Sequence, residues 1–167
     1  GFLLPKSHPM FTFLRAEARW IFAGFLLTAF SGFGQTFFIS LSAGDLRAEF
    51  GLSHGDIGLL YMVATLGSAL TLPYVGRSLD HFPVQKIAAV VMTGLALFCL
   101  AMANTFSVWM VGLAFYGLRL CGQGMMTHTS VTAAGRWFTA QRGRAVSIAV
   151  LGFPTAEALF PLCFVVL

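Results

Sequence analysis

Two charged side chains stand within long apolar stretches, and they are the first candidates for chemistry. Arg119 follows a run, 87–118, that holds no Asp, Glu, Lys or Arg, and Glu157 is the only such residue in 145–167. A charge at the centre of a hydrocarbon layer costs about 2.5–3.5 kcal/mol, so one that is kept there has a use. The planar guanidinium of Arg119 can fork onto a carboxylate or an anionic solute. It can equally be a structural cation satisfied by backbone carbonyls or by Glu157. Glu157 has two uses open to it, as a proton carrier or as the ionised partner of Arg119, and the pair is the favoured one. At about 1.5 Å per residue, Arg119 lies roughly 18 Å from Ser107 and Glu157 roughly 18 Å from Ala145. In a core about 30 Å thick both are then near the midplane, within about 6 Å of each other in depth.

Their neighbours extend the candidate site. Gln123 follows Arg119 by one turn, with Met126 and Ser130 further along the same α-helical face. Thr28, Ser31 and Gln35, at i, i+3 and i+7, form a polar stripe that should face other helices or a water-filled cavity. Pro154 and Pro161 flank Glu157. Each removes a helical hydrogen bond, which frees the carbonyls of Val150 and of Glu157 and predicts kinks of the kind that line transport cavities. His128 reads as an interfacial or packed histidine in preference to a proton relay.

The elements that hold these residues follow from composition. Hydrophobic residues make up 57% of the 167 and charged ones 10%, against about 25% charged in a soluble domain. Such a chain cannot cover itself with polar groups, so its solvent is lipid and its fold an all-α membrane bundle. Residues 1–19 form an N-terminal segment, and spans are predicted at about 20–41, 55–75, 85–103, 107–132 and 145–167. A polar connector, 45–51, follows the first span, and Ser53 with Asp56 signals a capped start for the second. Ala64/Ser68 and Gly67/Thr71 are small-xxx-small pairs suited to close packing. The last residues, Phe164-Val165-Val166-Leu167, stop in mid-run, so the chain is expected to be truncated within its fifth helix.

Orientation follows from the basic residues. Lys6, Arg15, Arg19, Arg77, Lys86, Arg136, Arg142 and Arg144 fall on one side and Arg47 alone on the other, so the N-terminus is expected in the cytoplasm. The net charge of +4 is thus a membrane-orientation signal, not one for nucleic acid. Trp20, Trp109 and Trp137 fall at predicted interfaces. Cys99, Cys121 and Cys163 lack metal-ligand spacing and read as buried packing residues. No P-loop, paired-carboxylate or Ser-His-Asp pattern appears, so neither an enzyme nor a cofactor is expected.

The turn Gly76-Arg77-Ser78-Leu79-Asp80-His81-Phe82-Pro83-Val84-Gln85-Lys86 resembles the signature loop of the major facilitator superfamily, roughly Gly-x-Leu-x-Asp-Arg-x-Gly-Arg-Arg. Gly76 and Asp80 match in spacing and Lys86 supplies a late basic position, whereas Ser78, His81 and Pro83 depart from it. Arg119-Leu120-Cys121-Gly122-Gln123-Gly124 resembles that family's fourth-helix pattern, its glycines offset by about one residue. Arg136-Trp137-Phe138 with Arg142-Gly143-Arg144-Ala145 resembles the loop before helix five. The resemblance implies an N-terminal half-bundle, about five of twelve helices, facing a C-terminal half beyond this chain. It implies a secondary transporter working by alternating access on a small solute, with the coupling proton or ion left open and an anionic lean from Arg119.

Gln35, Arg119, Gln123 and Glu157 are then the binding or coupling candidates, and Gly76 and Asp80 the gating loop, with Arg142 or Arg144 as the nearby cation. An inner bacterial membrane is the expected location. The alternatives are a non-transporting assembly subunit and a drug-efflux member of the same family. The second is weakened because Gly152-Phe153-Pro154 lacks the expected Gly-Pro then Gly-Gly pattern.

Overall fold

The protein, seen in a computed structural model, is described for the backbone of residues 10–166 and the side chains of residues 17–163. Lys6, the side chain of Arg15, and Leu167 lie outside the described residues. The described chain is helical, with no strand, and forms five antiparallel rods. The first comprises α1 (Met10–Phe30), a 3-10 turn (Ser31–Gly34) and α2 (Thr36–Phe50). The second is α3 (His54–Gly76), followed by the short α4 (Ser78–His81) inside the charged turn, and the third is α5 (Val84–Ala103). The fourth joins α6 (Val108–Leu118), a π-helical segment (Arg119–Met126) and α7 (Thr127–Trp137). The fifth is α8 (Arg142–Val150) and α9 (Gly152–Val166). Among the described residues, four helical stretches are long and apolar enough to cross a membrane: Glu17–Phe50, His54–His81, Val84–Ala103 and Thr139–Cys163.

The fourth rod is the axis of the bundle. It packs against α1, α3, α5 and α8, and Val111, Phe115, Leu118, Met125 and Met126 fill the main core with Ile39, Ile57, Ala64, Val91 and Leu95. Exposed large apolar residues such as Leu70, Val90 and Leu100 cover the outside, as lipid-facing surfaces require. Polar groups turn inward and bond between rods. Ser130 Oγ donates to the Gly24 carbonyl at 2.7 Å, Thr28 Oγ1 donates to the Ala149 carbonyl, and Tyr116 Oη donates to Thr71 Oγ1 at 2.9 Å. Thr28 and Ser31, both fully buried, therefore face neighbouring helices.

Glycines set the closest crossings. A Cβ on Gly34 would meet the Leu118 carbonyl and lie 2.8 Å from Gly122 Cα; one on Gly122 would lie 2.7 Å from Gly34 Cα. The two rods thus touch backbone to backbone where the first becomes 3-10 and the fourth becomes π.

Two boundaries differ from the sequence reading. Asp45 to Phe50 is helix, not connector, because none of these residues breaks a helix and Leu46 is buried against the core. The stop comes at Gly51, whose φ of 63° needs no Cβ. At the other end, α1 begins at Met10, so 10–19 belongs to the first rod. At the start of α3, Ser53 and Asp56 close a reciprocal capping box. Among the cysteines, Cys163 is exposed on α9 and not buried as expected, and Cys99 and Cys121 are half-buried.

Candidate functional site

Arg119 sits at the junction of α6 and the π segment, where three rods converge. Its Nη1 donates to the Gly34 carbonyl at 3.3 Å and to Thr36 Oγ1 at 3.4 Å. Its guanidinium carbon lies 5.4 Å from the centre of the Tyr61 ring, a cation–π distance. Tyr61 Oη and Thr36 Oγ1 are 2.7 Å apart. A neutral cradle of one carbonyl, one hydroxyl and one aromatic face thus fixes the cation without neutralising it.

From this cradle a groove of about 400 Å³ runs between α3 and the fourth rod, walled by Thr65, Ser68, Leu72, Arg119, Gln123, Thr127 and His128 among others. At its wall Arg119 Nε, Gln123 Oε1 and Thr65 Oγ1 are buried without a hydrogen-bond partner among the described residues. A buried polar atom left unpaired costs about 1–3 kcal/mol, so these three leave the residues of this wall short of partners. Towards the charged turn a second groove, about 450 Å³, continues past Leu72, Gly76, Arg77, Asp80, His128 and Thr132.

The π segment decides which side chains reach the groove. Its i→i+5 bonding holds an extra residue and shifts the face that follows. On α-helical spacing Met126 and Ser130 continue the stripe of Arg119 and Gln123. In the structure both are fully buried, with Ser130 bonded to Gly24 of α1. The wall continues instead through Thr127, His128 and Val131. Thr127 was missed for this reason, and His128, read from sequence as interfacial or packed, lines the groove as well; Thr65 on α3 was missed independently. Thr65 and Ser68 at i, i+3 were the available signal on α3.

Of the predicted candidates, Arg119 and Gln123 meet at the groove. Gln35 lies at the break between the 3-10 turn and α2, outside it. Glu157 is exposed on α9 and makes no ion pair among the described residues, so its pairing with Arg119 is corrected. Similar depth did not place them on the same side. α9 packs on α1 and α2, whereas the Arg119 guanidinium bonds at the Gly34–Thr36 break and lies over Tyr61 of α3. The fifth rod is interrupted at Leu151, three residues before Pro154, while α9 continues through Pro161.

The charged turn is docked onto α7. Leu79, almost fully buried, packs with Val84 and Ala133. Arg136 Nη1 donates to the Leu79 carbonyl at 2.6 Å and Nη2 to Asp80 Oδ1 at 2.9 Å. The cation beside Asp80 is therefore Arg136 and not Arg142 or Arg144. Arg136 falls near the end of α7, on the face that α4 reaches. Arg142 lies against Gly135, and Arg144 bonds to Gln141.

The described basic residues gather at the same end. Arg19, Arg77, Lys86, Arg136, Arg142 and Arg144 stand there, with Arg47 at the opposite end. Trp20 and Trp137 pair at this end, ring centres 5.0 Å apart, and Trp109 is exposed at the start of α6.

Comparison with curated proteins and with solved structures finds no match to either. A family model described as Major Facilitator Superfamily matches residues 24–167. With a match over most of its length, five antiparallel helical rods and a polar groove beside a mid-helix arginine, the chain belongs to the major facilitator superfamily, a family of membrane transporters.

Proposed function

We propose that this chain is part of a secondary active transporter that moves a small anionic solute by alternating access, the solute binding in the groove beside Arg119. The observation that carries the reading is the Arg119 cation on the groove wall, held by a carbonyl, a hydroxyl and an aromatic face with no carboxylate beside it among the described residues. Nε–H and a threonine hydroxyl offer donors, and the Gln123 amide offers either sense of bond according to its orientation. A carboxylate or comparable oxyanion satisfies the donors and balances the cation, which its neutral cradle leaves uncompensated. A second helical bundle facing the groove completes the site. The basic end, with the N-terminus, lies in the cytoplasm, which the clustering of six basic residues there favours. The membrane is a bacterial inner membrane, and the coupling species is a proton or another ion.

The test is uptake into vesicles holding the protein expressed from its whole gene. The panel comprises radiolabelled acetate, lactate, succinate, inorganic phosphate, a sugar and tetraphenylphosphonium. The reading predicts uptake of one or more of the anions, lowered at least tenfold by Arg119→Gln with the protein still inserted. Uptake confined to the sugar or the organic cation would overturn the anionic assignment. An assembly subunit would take up none of them.

A further inference from the structure

His128 stands where the two grooves meet. It and Leu72 are the residues that wall both, one groove leading to Arg119 and the other to Arg77 and Asp80. Its side chain is exposed and rests over Gly76, where a Cβ would come within 3.4 Å of Cδ2 and Nε2. No hydrogen bond or ion pair ties the ring to another described residue. The charged groups along the two grooves are Arg119, Arg77 and Asp80, and Asp80 is already held by Arg136. The α3 wall beside it is otherwise neutral, formed by Ser68, Leu72 and Pro73.

We propose that His128 is a second anion-contacting station, between Arg119 and the charged turn. This rests on the reading of the Arg119 groove as the solute pathway. A small oxyanion leaving Arg119 towards the turn meets the imidazole next and Arg77 after it. Imidazole is the side chain that changes charge between about pH 5 and 8. A protonated ring holds the anion more tightly than a neutral one, so pH is the variable of the test.

The test needs no knowledge of the natural solute. Thr132, which shares the inner groove with His128, is changed to Cys in a chain with all native cysteines replaced, in inside-out membrane vesicles. The probes are an anionic sulfonatoethyl and a cationic trimethylammonioethyl methanethiosulfonate, and the ratio of their rates cancels the thiolate fraction. One added charge in a wet groove should raise the anion-to-cation ratio about three- to tenfold between about pH 7.5 and 5.5. The rise should vanish in His128→Gln.

An unchanged ratio, or the same rise in His128→Gln, overturns the proposal. Should Thr132→Cys fail to insert, Val131→Cys on the outer groove is the second reporter. A separate reporter, Ala69→Cys at an exposed position of the Arg119 groove, with and without Arg119→Gln, tests the parent reading. Anion preference at position 69 that is lost with Arg119, beside a His128-independent ratio at 132, removes the His128 station alone.

Discussion

Asp80 and Arg136 lie 2.9 Å apart and join the charged turn to the end of α7. The same guanidinium also bonds to the Leu79 carbonyl, so one residue of the central rod holds both the side chain and the backbone of the turn. Both partners are well exposed, at 44% for Arg136 and 67% for Asp80. Solvent therefore screens their attraction, and its worth is about 0–1 kcal/mol. A double-mutant cycle with Asp80→Asn and Arg136→Gln, read by SDS-induced unfolding in mixed micelles, should give a coupling within that range. A coupling above about 2 kcal/mol would mean that the pair is shielded from solvent.

Leu79 itself should matter more. Its side chain is almost fully buried between Val84 and Ala133. Leu79→Ala should lower stability by about 2–4 kcal/mol, the usual cost of emptying a buried leucine site. The same unfolding assay measures it, and a loss under about 1 kcal/mol would show that the turn is not docked as described.

The Gly34–Gly122 contact predicts a sharper failure. A Cβ at Gly34 runs into the Leu118 carbonyl, which is backbone and cannot rotate away. Gly34→Ala should therefore force the first and fourth rods apart and move the Gly34 carbonyl from Arg119. The thermal midpoint in detergent should fall, with an overpacking loss of about 1–3 kcal/mol or more. Gly44→Ala, where a Cβ meets nothing within 4 Å, is the control and should leave the midpoint unchanged or slightly raised.

Arg119 and Glu157 should behave as strangers. The cation is held by Gly34, Thr36 and Tyr61, and the carboxylate stands exposed on another rod. The effects of Arg119→Gln and Glu157→Gln on stability should add to within about 0.5 kcal/mol, as for independent sites. A coupling above about 1 kcal/mol would restore the ion pair that the sequence suggested.

The helical membrane class, the capped start at Ser53 and the place of Arg119 within an apolar helix were legible in the sequence because each depends on local residue type or short spacing. The azimuth of each helix was not. Arg119 and Glu157 share a depth that rise per residue can count, but the side each faces depends on how five rods pack. The π segment misdirects simple periodicity further: one extra residue replaced Met126 and Ser130 with Thr127 and Val131 on the groove. The partner of Asp80 was misassigned for a related reason. Three arginines cluster near 136–144, and only the docking of α4 on α7 selects Arg136.

The central claim, a polar pathway inside a lipid-embedded bundle, is tested most directly by comparing two cysteines on α3. In the cysteine-free chain in inside-out vesicles, Ala69→Cys stands at an exposed position lining the groove, whereas Leu70→Cys replaces a side chain 74% exposed on another face of α3. The account predicts that a charged methanethiosulfonate modifies position 69 at least about tenfold faster, because lipid or packed protein covers position 70 and water fills the groove. Equal rates, or a faster reaction at position 70, would contradict it.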